Sequence, residues 1–107
     1  MAIAHLRKKD YTILDTNWRF GKEEIDIIAS IDDMLVVVEV KTRVNNYFGD
    51  PESFVNQRKQ KHLIRATAYY VESKAIDLEV RFDVIGIISN NQQLDLVHIE
   101  AAFSPRW

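Results

Sequence analysis

The sequence predicts an α/β domain built on a mixed sheet, and three stretches predict it. Residues 23–41 read as two aliphatic strands joined by a tight turn at Asp32-Asp33, because β-branched and aliphatic residues dominate both arms. A long amphipathic helix is expected from about Pro51 or Glu52 to Ser73, with proline in its first turn. Residues 79–88 form a near-continuous apolar run, the pattern of a strand covered on both faces.

The remaining elements fall around these three. Residues 2–9 look like the last two turns of a helix, with Ile3 and Leu6 inward and Lys8 and Lys9 at its C-terminal end, where cations are favoured. Tyr11 to Arg19 is expected to be a first strand, and Phe20-Gly21-Lys22 a turn into the hairpin. Thr42 to Pro51 is rich in Asn, Gly and Pro and predicts a loop leaving the end of the hairpin. Asn90-Asn91 marks a turn into a last strand, Leu94 to Ile99. Asp83 stands in the middle of the apolar strand and needs a partner; Arg81 and Arg19 are the candidates, while His98 reads as a structural or surface histidine.

At 107 residues the chain is expected to be a single domain, residues 1–107, with one hydrophobic core. A hydrophobic fraction of 47% and a charged fraction of 28% are those of a soluble globular protein. There is no cysteine, which excludes disulfides and thiolate metal sites. No run approaches the ~18 apolar residues of a membrane span, and residues 1–20 lack a signal-peptide pattern, so no membrane partner and a cytoplasmic location are expected. The net charge of −2 argues mildly against a nucleic-acid partner. Its distribution argues back, since Arg58, Lys59, Lys61, His62 and Arg65 fall within eight residues, and a local patch can steer a polyanion.

The hairpin holds an anomaly. Centred between Asp32 and Asp33, it sets Asp26 opposite Glu39 and Glu24 opposite Lys41, on one face of an otherwise aliphatic pair of strands. Like charges directly opposed destabilise a sheet. The other face would carry Ile25, Ile27, Ala29 and Ile31 with Val36, Val38 and Val40. A divalent cation would turn the repulsion into coordination, because hard oxygen ligands suit Mg²⁺. Lys41 would then sit within reach of a phosphate or a metal-bound water, with Glu24 as an accessory group. On the long helix, Arg58, Lys61, His62 and Arg65 lie on one side and Leu63, Ala66, Thr67, Tyr70 and Val71 on the other. Lys59 shares the inward side and is expected to lean toward the acids. Phosphodiester hydrolysis fits this set, with a cation polarising the phosphoryl group and a lysine neutralising charge in the transition state.

Asp26, twelve residues, then Glu39-Val40-Lys41 resembles the D-(x)n-E-x-K core of the PD-(D/E)XK nuclease superfamily. Across nearly its whole length the chain is more closely similar to the YraN family, whose members are read as endonucleases by inference. That likeness runs through Asn17-Trp18-Arg19, Glu24 to Ala29, Val38 to Arg43, Phe48-Gly49, Arg58-Lys59-Gln60, Arg81-Phe82-Asp83-Val84, His98-Ile99 and Ala102-Phe103.

The resemblance implies a restriction-endonuclease-like αβββαβ core, with a mixed central sheet flanked by helices as in archaeal Holliday-junction resolvases. It implies Mg²⁺, with Mn²⁺ able to substitute, on Asp26, Glu39 and the main-chain carbonyl of Val40, and Lys41 as catalytic lysine. DNA, branched or junction DNA included, is the partner it implies, met by Arg43, Arg58, Lys59, Lys61 and Arg65. It suggests a homodimer, although no single apolar stripe marks an interface. Relatives carry a Gly-Glu pair in the first helix at a position that aligns just before Met1. The first helix is therefore expected to be cut short at its N-terminus, with weaker metal binding than in a longer relative. The alternatives are a nucleic-acid-binding module with weak or lost catalysis and a protein-interaction domain whose polar cluster is vestigial.

Overall fold

The computed structural model describes residues 1–44 and 55–105. Helix α1 (Ala2–Lys8) is followed by strands β1 (Thr12–Phe20), β2 (Glu23–Ile31) and β3 (Met34–Val44), helix α2 (Gln57–Ser73), and strands β4 (Glu79–Asn90) and β5 (Gln93–Phe103). The five strands form one mixed sheet in the order β1-β2-β3-β4-β5. All neighbours are antiparallel except β3 and β4, which run parallel. The α/β class is as expected: among the described residues two helices flank a mixed five-stranded sheet.

A parallel pair needs a crossover, and α2 lies in the connection between β3 and β4. It covers one face of the sheet, where Leu63, Ala66 and Tyr70 pack with Ile25, Ile28, Leu35, Val37, Phe82 and Val84. On the other face α1 supplies Ala2 and Leu6 against Tyr11, Ile27, Ala29, Val36, Val38 and Ile85. The middle of the sheet is thus buried on both sides, and the apolar run of β4 follows from its place between β3 and β5.

Several boundaries move. Thr42, Arg43 and Val44 extend β3 rather than opening a loop; the rest of the expected loop, residues 45–51, lies outside the described residues. Val55 and Asn56 are not helical. Helix α2 starts at Gln57, where the Asn56 side chain accepts the Lys59 N–H at 2.8 Å, so Asn56 is the N-cap. The last turn sits at Asn91-Gln92, one residue later than expected, both with positive φ (46° and 66°), as two-residue hairpin turns require. Strand β5 runs on past Ile99 to Phe103.

The hairpin register is the expected one, from Ile31 opposite Met34 to Ile27 opposite Val38. The faces are not. Strict alternation would keep Ile25, Ile27 and Ala29 together, but Ile25 packs with Ile28 under α2 while Ile27 and Ala29 face α1. The paired strand β1 keeps its register through this level, Thr16 with Ile27 and Trp18 with Ile25, and between them Asn17 has a left-handed backbone (φ 50°). A residue outside the extended region interrupts the alternation of side chains along a strand, and the faces change here with no slip in register.

Candidate active site

Asp26 stands at the point of exchange. In a two-residue hairpin the pairs that share hydrogen bonds alternate, which makes Val40 the next residue due to bond Ile25. Instead the Val40 N–H donates to Asp26 Oδ2 at 2.8 Å. The ladder ends after Ile27 and Val38, and a carboxylate takes the place of a strand carbonyl.

Glu39, on the adjoining strand, is 5% exposed. Its Oε2 has no hydrogen-bond partner, and the Lys59 ammonium lies 3.8 Å away, an ion pair too long for a hydrogen bond. Burial first, then the neighbouring Asp26 carboxylate, push the Glu39 carboxyl up to about 7; the charges of Lys59 and Lys41 oppose the rise. Two acids from neighbouring strands therefore converge at a buried point, with two lysines close enough to be felt. Lys59 is carried there by the first turn of α2, which the Asn56 cap fixes. Lys41 follows Glu39 on the same side of β3 and pairs in the ladder with Gly86, which has no side chain to crowd it.

Among the expected accessory residues the structure is selective. Glu24 lies beyond the exchange of faces, pairs with Arg19 in the β1–β2 ladder and makes its ion pair there at 3.4 Å. The hydrogen-bonded ladder ends before reaching Glu24 and Lys41. Arg58, Lys61 and Arg65 are exposed on α2, while His62 turns to Glu23 at 3.0 Å. Arg43 lies near the end of β3, its guanidinium donating to the Thr42 carbonyl at 3.1 Å. Among the described residues no group of three or more Asp, Glu or His side chains is placed to hold a metal ion. What the sheet offers is a pair of carboxylates and main-chain oxygen.

A second polar cluster lies on the opposite face, around Asp83. Arg81 grips both its oxygens, at 2.9 and 2.8 Å, the His98 Nε2 lies 2.7 Å away, and the Ala101 N–H donates at 3.0 Å. Burial alone would raise the Asp83 carboxyl, but these hydrogen bonds outweigh it and hold it below its ordinary value. Arg81 also donates to the Tyr11 hydroxyl at 2.6 Å, and His98 Nδ1 lies 3.1 Å from His5 Nε2. Of the two arginines considered for Asp83, Arg81 is the partner, and His98 is structural.

Beyond the family likeness, nothing in the sequence reading assigned a part to Asn17, although asparagine is one of the few residues that tolerate a left-handed backbone. Nor did it single out Trp18, Phe20 and Tyr69, whose rings cluster beside α2. The Trp-x-Phe alternation on a strand was the available signal.

No helix among the described residues is long and apolar enough to cross a membrane. Residues 1–87 match the family described as Uncharacterised protein family UPF0102. UPF0102 proteins of Flavobacterium psychrophilum and Christiangramia forsetii are 46% and 44% identical over 103 residues, covering 96% of this chain and 87% of each relative. That of Phocaeicola vulgatus is 42% identical over 104 residues, 97% of this chain and 86% of the relative. The chain belongs to the uncharacterised protein family UPF0102, the YraN family.

Proposed function

We propose that the protein is a Mg²⁺-dependent endonuclease acting on DNA, branched DNA included, with Asp26 and Glu39 as metal ligands and Lys41 as the catalytic lysine. One observation carries this reading: a buried carboxylate oxygen of Glu39 without a hydrogen-bond partner, beside a second carboxylate. A buried acid so placed is costly, and a hard cation is the ligand that relieves it.

The donor set fits Mg²⁺, which takes one or two carboxylates and keeps several waters. Val40 adds main-chain oxygen, because a residue whose N–H faces the neighbouring strand in an antiparallel pair turns its carbonyl the same way. A bound Mg²⁺ would supply Lewis acidity toward the phosphoryl oxygen and a lowered pKa for a coordinated water; Mn²⁺ could take its place. Lys41 would neutralise charge developing on the phosphoryl group. Lys59 balances Glu39 in the ion-free protein and is free to turn to a phosphate once Glu39 is otherwise engaged. Exposed Arg58, Lys61 and Arg65, with Arg43 at the end of β3, give the polyanion its footing.

Cleavage of labelled junction, duplex and single-stranded DNA, with Mg²⁺ and with chelator, tests this reading. Metal-dependent product that disappears in Lys41→Ala and Asp26→Asn is the expected result; undiminished cleavage by either folded variant rejects the assignment.

The second reading, a nucleic-acid-binding module with weak catalysis, is favoured by the Lys59 ammonium already at Glu39. It predicts salt-sensitive DNA binding with no metal-dependent product.

A further inference from the structure

The flank of α2 that faces β1 carries a basic and aromatic stripe. Arg58, His62, Arg65 and Tyr69 recur at spacings of four, three and four, which places them in one row along a helix. The row starts beside the candidate active site, since Lys59 reaches Glu39 and His62 reaches Glu23. It ends on an aromatic stack. Trp18 and Phe20 of β1 lie parallel, with centroids 6.4 Å apart and planes 6° from one another, and Tyr69 leans on Phe20 at 4.7 Å. Trp18 in turn is braced edge-on by buried Tyr70 at 5.1 Å.

Tyr69 is 52% exposed, although Phe20 backs it. A half-exposed ring held on one side by other rings offers its outer side as a flat, rigid surface, ordered in advance of any partner. Arg58 and Arg65, both exposed, lie in the same row. From Lys59 to Tyr69 the helix rises about 15 Å.

We propose that this flank binds single-stranded DNA, with a base stacked on Tyr69 and the backbone running along Arg65 and Arg58 toward Glu39. Stacking surfaces beside a positive track are what single strands need, and every base has a face to offer. An intact duplex keeps its bases stacked on one another and gains nothing from Tyr69. The unpaired strand at a branch point is thus the part of the substrate this flank selects. That the occupant is DNA rests on the nuclease reading; the stacking geometry does not depend on the metal.

Fluorescence anisotropy with a labelled oligothymidylate and with a blunt duplex, both in chelator so that nothing is cut, tests the proposal. The wild-type chain should bind the single strand more tightly and lose tryptophan emission as it does, because Trp18 belongs to the stack. Tyr69→Ala should weaken single-strand binding roughly 5- to 100-fold and leave the duplex within about twofold. Tyr69→Phe should bind like the wild type, since stacking does not need the hydroxyl. Circular dichroism checks that both variants fold, as an exposed helix position allows. Single-strand binding unchanged by Tyr69→Ala, equal losses for both DNAs, or no single-strand binding at low salt overturns the proposal. Tyr69-dependent binding without metal-dependent cleavage upholds it and rejects the nuclease reading. Cleavage with Tyr69-independent binding does the reverse.

Discussion

Asp26 Oδ2 accepts the main-chain N–H of Val40 at 2.8 Å, in the place that a carbonyl of β2 would hold in an unbroken ladder. One hydrogen bond thus joins the two strands and fixes a carboxylate beside Glu39.

Glu39 should make the ion-free protein less stable as pH rises. Its folded carboxyl titrates at about 7 against an ordinary 4.5, raised first by burial and then by Asp26. The folded state therefore holds more protons between those values, and stability falls with pH across that window and levels off above it. Glu39→Gln should stabilise the chelated protein at pH 8 by about 1–3 kcal/mol, with little difference at pH 4. Urea unfolding at both pH values measures this. A Gln variant less stable than wild type at pH 8 contradicts it.

Added Mg²⁺ should reverse that trend. A ligand of the native state raises stability by mass action, and a carboxyl must lose its proton to coordinate. The gain in melting temperature on adding Mg²⁺ should be larger at pH 8 than at pH 6, and absent in Asp26→Asn. Equal gains at both pH values would count against Glu39 as a ligand.

Asp83 is predicted to anchor β4, β5 and the start of β1 together. Asp83→Asn leaves the Arg81 guanidinium short of its charge partner, and breaking a buried pair from one side costs about 3–5 kcal/mol. Because the folded carboxyl lies below its ordinary 3.8, its contribution is present above that pH and is lost as pH falls through the folded value. Unfolding titrations should show the variant losing stability at pH 7 and the two proteins converging in strong acid.

Asn17 should tolerate glycine and reject branched side chains. With φ at 50°, Asn17→Val costs about 1–2 kcal/mol for the left-handed backbone, whereas Asn17→Gly keeps the conformation open. Since the exchange of faces at this level sets Asp26, the Val variant should also lose the Mg²⁺-induced gain in melting temperature. A Val variant with full Mg²⁺ response contradicts the link.

The sequence carried the pairing of β2 with β3 because a two-residue turn and even aliphatic spacing leave one register. Lys59 was legible for a similar reason: a lysine on the inward stripe of a helix has few places to go. Glu24 and Ile25 were not. Their sides change at the level where the neighbouring strand carries left-handed Asn17, and hydrophobic periodicity within β2 carries no trace of it. The start of α2 was set too early because Pro51 is a strong start signal, yet Asn56 is the residue whose side chain meets the free N–H of Lys59. Strand β5 outran its apolar pattern, since the Ala101 N–H is held by Asp83 from another strand.

Anomalous diffraction from crystals soaked in Mn²⁺ decides whether Asp26 and Glu39 share one divalent cation. A peak is expected between the two carboxylates, within reach of the Val40 carbonyl, with the Lys59 ammonium displaced from Glu39. Density with no peak there, and Lys59 still paired with Glu39 at saturating Mn²⁺, would contradict it.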